Sequence, residues 1–215
     1  MKTNTLTKEN NTPVITPEVT AMNVNRESES ARQVLSMVKL NGLTTTQVLD
    51  YGCGLGRNMQ YLIKNNVVWV NGCDTPDQVK NIRKDADKMA FFEENNAYIS
   101  TAEYFKNYGM KYDIILNSHV LNVVMDDVKK IIIKDMYELL RTGGKAVIQV
   151  RTESDVASAK TKEKYGDGWL IKKGKNTTYQ EGITKEKMHK LLTDAGFKII
   201  NHRFTKSIHM VEVVK

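Results

Sequence analysis

The sequence predicts an α/β fold built on a doubly wound, mostly parallel sheet. Three observations lead there. Strand-like apolar runs alternate with helical periodicity up to about residue 150. The run at 67–73 is continuous rather than alternating, as in a strand covered on both faces. And Val48-Leu49-Asp50-Tyr51-Gly52-Cys53-Gly54-Leu55-Gly56-Arg57 reads as a buried strand ending on an acid, a turn through three glycines at alternate positions, and the opening of a helix.

The elements follow in order. Residues 1–20 are polar, hold Pro13 and Pro17, and predict a mobile tail, leaving 21–215 as a single domain. Ala31, Val34, Leu35, Val38 and Leu40 mostly recur at three- and four-residue spacing, predicting an amphipathic helix over 28–40 that stops at Asn41-Gly42. Strand one lies at 47–50, a helix at 58–64 and strand two at 67–73. A charged helix at 77–88, a short third strand at 97–100 and a fourth at 113–117 come next. A long helix at 124–140 and the turn Arg141-Thr142-Gly143-Gly144 lead into strand five at 146–151. The rhythm then breaks. Residues 152–182 form a Lys-rich, Gly-punctuated insertion with Tyr165, Trp169 and Tyr179, read as a lid. Thr184 as N-cap and Gly196 as stop bound a helix at 184–195, and 198–204 with 208–214 predict an antiparallel hairpin.

Composition narrows the function classes. No apolar run is long enough for a membrane span, and the N-terminus lacks the apolar centre of a secretory signal. Cys53 and Cys73 are the only cysteines, which excludes a disulfide framework and a metal cluster and fits a reduced, cytoplasmic protein; no metal site is expected. The net charge of +7 is lopsided: residues 1–150 hold 18 Lys/Arg against 17 Asp/Glu, and residues 151–215 hold 14 against 8, so the last third carries +6. That asymmetry suits a polyanion such as nucleic acid, and equally a solvated Lys-rich surface.

The glycine turn admits two cofactor classes. A dinucleotide loop needs Gly-x-Gly-x-x-Gly, and counting from Gly52 or Gly54 puts Arg57 or Met59 where the third glycine belongs. A second acid, Asp74, ends the apolar run of strand two, eighteen residues past Gly56. A carboxylate there offers only acceptors and suits the two hydroxyls of a ribose. His119 stands at the tip of strand four, where an imidazole either takes a proton from an attacking atom or packs behind a cofactor.

The pattern Asp-x-Gly-x-Gly-x-Gly with Asp74 resembles motif I and the ribose acid of the class I S-adenosylmethionine-dependent methyltransferases. The resemblance implies a Rossmann-like, seven-stranded sheet in the order 3-2-1-4-5-7-6, ending in the antiparallel hairpin. It implies S-adenosyl-L-methionine bound by Asp50, Gly52, Cys53, Gly54 and Gly56 at strand one, Asp74 and Thr75 at strand two, and Asn117 at strand four. His119 is then the candidate catalytic base. The third tip holds Ser100 and Thr101 where many members have an aspartate. With prolines only at 13, 17 and 76, the chain lacks the Asn/Asp-Pro-Pro-Tyr/Phe signature of amino-methylating base enzymes and the Pro-Cys pair of cytosine carbon-5 enzymes. Thr20-Ala21-Met22 with Ser30, Leu49 to Gly54, His119-Val120-Leu121-Asn122-Val123 and Thr178-Tyr179-Gln180 are similar to small bacterial methyltransferases associated with DNA modification.

Three functions fit this reading: methyl transfer to an O or N atom, with nucleic acid as a possible carrier; methyl transfer to a small molecule; or a non-catalytic cofactor-binding subunit of a DNA-modification system. Trp169, Tyr165 and Tyr179 among lysines suit base stacking beside phosphates, and equally a packed, solvated lid. The oligomeric state is open.

Overall fold

The computed structural model describes residues 20, 26–157, 162–173 and 175–215. The tail expected at 1–20 lies outside them except for Thr20, as do Ala21 and Met22.

Thirteen residues, α1 (Glu29–Asn41), precede the sheet, started by the Ser28 hydroxyl accepting from Ala31 N. Then come β1 (Gln47–Tyr51), α2 (Arg57–Lys64), β2 (Trp69–Cys73), α3 (Pro76–Ile82) and α4 (Ala86–Glu94). They are followed by β3 (Ile99–Ser100), α5 (Ala102–Asn107), β4 (Tyr112–Ser118), α6 (Asp126–Leu139) and β5 (Leu140–Arg151). The insertion supplies α7 (Glu153–Ala157), β6 (Lys162–Tyr165), β7 (Gly168–Lys173) and β8 (Asn176–Gln180). The chain closes with α8 (Lys185–Asp194), β9 (Lys198–Phe204) and β10 (Ile208–Val214).

The main sheet runs β3-β2-β1-β4-β5-β10-β9, with β10 antiparallel to both neighbours. This is the order that the resemblance implied. Because side chains alternate along a strand, adjacent residues feed opposite cores. Val48, Ile114, Val147 and Met210 pack with α1 and α2; Leu49, Ile115, Ile148 and Val211 pack with α6 and α8.

Three differences from expectation have a visible local cause. The helix expected at 77–88 is two helices, because Asp85 accepts from Lys88 N and starts α4 afresh. α5 was not anticipated; Thr101 caps it by accepting from Tyr104 N. And β5 begins at Leu140, so the expected turn is absorbed into the strand beside a register shift against β4.

The insertion is a separate antiparallel sheet, β6-β7-β8. Two devices fix it to the fold. Asn122, fully buried, accepts from Arg151 N at 2.7 Å and donates from Nδ2 to the Glu181 carbonyl at 2.5 Å and the Arg151 carbonyl at 3.2 Å. Beneath it the buried Glu181 carboxylate pairs with the buried Lys129 ammonium, and with Lys187 at 2.6 Å. Tyr179 is buried too, and its hydroxyl donates to Glu181 Oε2 at 2.9 Å. That position withdraws Tyr179 from the stacking role expected of it.

At the far edge, His189 of α8, His202 of β9 and His209 of β10 form a row, with ring nitrogens 3.0 and 2.9 Å apart. Burial, with His209 and His189 beside it, pushes His202 down to about 4. No helix among the described residues is long and apolar enough to cross a membrane.

Removing one member of a buried ion pair leaves the other charge stranded. Glu181→Ala is expected to destabilise the protein by roughly 3–5 kcal/mol in urea unfolding. An unchanged midpoint would show that the cluster does not anchor the insertion.

Candidate active site

β1, β2 and β4 end side by side, and their tips form the floor of one cavity. Gly52, Gly54 and Gly56 have φ of 79°, 57° and 76°, in the left-handed region closed to most side chains. The turn curls back onto β2: the Gly52 and Cys53 amides donate to the Cys73 carbonyl at 2.7 and 3.1 Å. Space enforces glycine as well as conformation. A Cβ on Gly52 would stand 2.2 Å from Val120 Cγ2, and one on Gly56 2.5 Å from Phe92 Cζ.

Asp74 stands at the β2 tip as expected. Its Oδ2 accepts from Gly54 N at 2.7 Å and its Oδ1 from Thr75 N at 2.8 Å, so the acid and the glycine turn are one unit. Asp50 lies wholly buried beneath the turn, and neither carboxylate oxygen has a hydrogen-bond partner among the described residues. Burial, then Asp74, pushes it up to about 7 while Arg57 opposes them. Asn117, also fully buried, donates to the Tyr51 carbonyl at 3.1 Å and leaves Oδ1 unpartnered among the described residues. Cys53 and Cys73 both line the cavity, but they belong to the cores on opposite faces of the sheet. Burial pushes both thiols up.

His119 has φ of 63°, an uncommon conformation for a residue other than glycine. Its amide donates to the Gln149 carbonyl at 2.7 Å. The ring is tied to the same residue. Gln149 Oε1 accepts from Ser30 N at 2.8 Å, which fixes the amide orientation, so Gln149 Nε2 donates to His119 Nε2 at 2.9 Å. We therefore assign the proton of the neutral ring to Nδ1, which has no partner among the described residues. Burial, then Arg57 and Arg151, lowers the imidazole to about 4. Of the two roles open in the sequence, these bonds fit the packed, neutral one. The network continues to α2, since Ser28 Oγ and Ser30 Oγ are 2.9 Å apart and Ser28 N donates to Asn58 Oδ1 at 3.0 Å.

The cavity measures about 680 Å3 and is lined by these tips except the buried Asp50 and Asn117 and except Gly56, which lies against Phe92 of the core. Its wall includes Arg151, Asp155 and Gln180, which sequence reading did not assign to the site. Arg151 donates to Asp155 Oδ2 at 2.5 Å and to Gln180 Oε1 at 3.0 Å. One signal for Arg151 was present: a cation closing the apolar strand five. Nothing local in the sequence ties it to Gln180, because Asn122 makes that link.

Residues 22–202 match the family model described as a methyltransferase domain. The chain belongs to this family. The expectation of an S-adenosylmethionine-dependent methyltransferase with the class I fold is met. Among solved structures, an S-adenosylmethionine-dependent methyltransferase from Clostridium acetobutylicum superposes with a TM-score of 0.64 at 13% identity, over 89% of this chain and 92% of that one. A glycopeptide N-methyltransferase complexed with sinefungin gives 0.63 at 16%, over 94% and 99%. The 1,6-didemethyltoxoflavin-N1-methyltransferase of Burkholderia thailandensis, with bound 1,6-didemethyltoxoflavin and S-adenosylhomocysteine, gives 0.58 at 17%, over 87% and 78%. A search of curated protein sequences returns no match.

The turn geometry makes a direct forecast. Gly52→Ala combines a left-handed residue with a clash, and strain of this kind costs roughly 1–3 kcal/mol. The melting temperature is expected to fall, and Val120→Ala in the same chain to restore part of the loss by removing the clash but not the strain. Full stability of the single variant would overturn the assignment.

Proposed function

We propose that this methyltransferase moves a methyl group from S-adenosylmethionine to an O or N atom of a small molecule held in the tip cavity. The single observation carrying this reading is that the glycine turn, Asp74, His119 and Arg151 line one cavity of about 680 Å3. Small-molecule sites span about 300–1,000 Å3.

The residues fit the cofactor. The unpartnered oxygens of Asp50 and Asn117 lie just beneath the cavity floor and need a donor; the cofactor's ammonium supplies one where the turn shifts to admit it. Arg57, half-buried on the cavity wall at the start of α2, makes no ion pair among the described residues and suits its carboxylate. Gly52, Cys53 and Gly54 let the amino-acid end approach the backbone, while Gly56, against Phe92, shapes the turn from behind. Asp74 accepts from the ribose hydroxyls, since a carboxylate offers about four acceptor sites, and Thr75 borders that subsite. Ala102, Val124 and Val128 give the apolar walls an adenine ring prefers. When bound, the cofactor supplies an electrophilic methyl on a sulfonium; alignment supplies much of the remaining acceleration. The β6-β7-β8 insertion serves as a lid whose Gln180 meets the acceptor, and the two reduced thiols fit a cytoplasmic setting.

A nucleic acid acceptor is the second reading, favoured by Trp169, whose ring lies under the ammonium groups of Lys162 and Lys164 at 4.5 and 4.9 Å. Binding to DNA or RNA that falls steeply with salt would support it; no such binding would leave the small-molecule reading.

Calorimetric titration with S-adenosylhomocysteine tests the cofactor site. Asp74→Ala is expected to weaken binding by roughly 1–3 kcal/mol, the scale of a lost charged hydrogen bond. Asp50 must be ionised to meet the ammonium, so affinity is expected to fall as pH drops through about 7, approaching about tenfold per unit below it. Asp50→Asn should flatten that profile. A wild-type profile already flat, with Asp74→Ala unaffected, would remove both residues from the site.

A further inference from the structure

Among the described residues two carboxylates line the cavity, Asp74 and Asp155. They stand far apart along the row of strand tips. Asp74 follows β2 and Asp155 lies just past β5, three steps away in the order β2-β1-β4-β5, or roughly 14 Å at ordinary strand spacing. With the cofactor's ribose at Asp74, the carboxylate left for the acceptor is Asp155. It is close enough to His119, at the β4 tip between them, to act electrostatically on the ring.

Asp155 is a fixed group. Arg151 Nε donates to its Oδ2 at 2.5 Å and Arg151 Nη1 to Gln180 Oε1 at 3.0 Å, so one guanidinium sets both side chains on the same wall. The turn that carries Asp155 is fastened to the closing hairpin: Thr152 N donates to the Ser207 carbonyl at 3.1 Å and Thr152 Oγ1 to the Lys206 carbonyl at 2.7 Å. Gly182 passes so near that a Cβ on it would stand 2.2 Å from Glu153 Cα. A carboxylate offers about four acceptor sites, so Asp155 can take a further hydrogen bond beside the one from Arg151. His119 does not compete for that task. Its Nε2 already accepts from Gln149, and burial lowers the imidazole to about 4.

We propose that Asp155 takes the proton of the methyl acceptor, which is therefore a hydroxyl or N–H compound whose attacking atom still carries its hydrogen when it binds. This rests on the methyltransferase reading above and adds the residue that completes it. The lone pair of the attacking atom forms the bond to the methyl carbon, and the carbon–sulfur bond breaks with its electron pair left on sulfur. The proton of the attacking atom passes to an Asp155 oxygen. The Asp155 side chain is 31% exposed, so water can then carry the proton away.

The test uses the full chain saturated with S-adenosylhomocysteine and two probes that differ in one O–H, 2-naphthol and 2-methoxynaphthalene. Excited 2-naphthol is a strong acid and emits as naphtholate where a base stands ready to accept its proton. It is expected to bind about tenfold tighter than 2-methoxynaphthalene, the scale of a hydrogen bond to a charged group, and to emit as naphtholate when bound. Asp155→Asn should lose both the preference and the naphtholate band, and Asp155→Glu should keep part of each. Should Asp155→Asn fail to fold, Asp155→Glu decides, since moving the carboxylate by one methylene must change the naphtholate yield. Survival of both signals in Asp155→Asn would leave Asp155 as a structural partner of Arg151 and overturn the proposal. So would an unchanged yield in Asp155→Glu, equal binding of the two probes, or binding of neither. Failure of S-adenosylhomocysteine itself to bind would instead overturn the cofactor reading.

Discussion

The hydrogen bonds from the Gly52 and Cys53 amides to the Cys73 carbonyl, with Asp74 accepting from Gly54, organise the site. They lock a left-handed turn to the neighbouring strand and fix the carboxylate that stands beside it at the cavity. A side chain at Gly52 would strike Val120, so the turn also sets how closely the β4 tip approaches. The strand tips, the buried Asp50 below and the cavity above all take their positions from this turn.

A second tier depends on the first. Gln149 receives Ser30 N and gives its amide to His119, which couples the start of α1 to the tip of β4. Through Ser28 the same tier reaches Asn58 on the helix that leaves the glycine turn. His119 is thereby oriented from behind, on a backbone conformation that the surrounding hydrogen bonds hold in place. A ring fastened at one nitrogen is held in a single orientation and tautomer. Asn122 does comparable work for the opposite wall, joining the ends of β5 and β8 where Arg151 and Gln180 meet.

Much of this was legible in the sequence because it is local. The glycine spacing, Asp74 ending an apolar run, and the paired strands at 198–204 and 208–214 each declare themselves within a few residues. The break between α3 and α4 was hidden because Asp85 is one more charge in a charged stretch until its cap is seen. Tyr179 looked like an exposed aromatic among lysines; only the buried Glu181, held by Lys129 from a helix far away in sequence, shows that it packs inward. The tautomer of His119 was likewise unreadable, since it is set by residues 30 and 149. Composition was the least specific guide: the basic C-terminal third describes the surface, whereas the cavity is shaped by valines and a handful of polar groups.

The imidazole row at the sheet edge has a consequence for how the molecule meets acid. His202 titrates at about 4 in the fold, against an ordinary 6.5, so below the higher value the unfolded chain takes up protons that the folded one refuses. Stability contributed there is whole above about 6.5 and drains away as the medium acidifies toward 4. The row lies in the seam between α8 and the closing hairpin, and Ile208 of that hairpin borders the cavity. Acid therefore works against the packing of α8 on the closing hairpin, several strands away from the glycine turn.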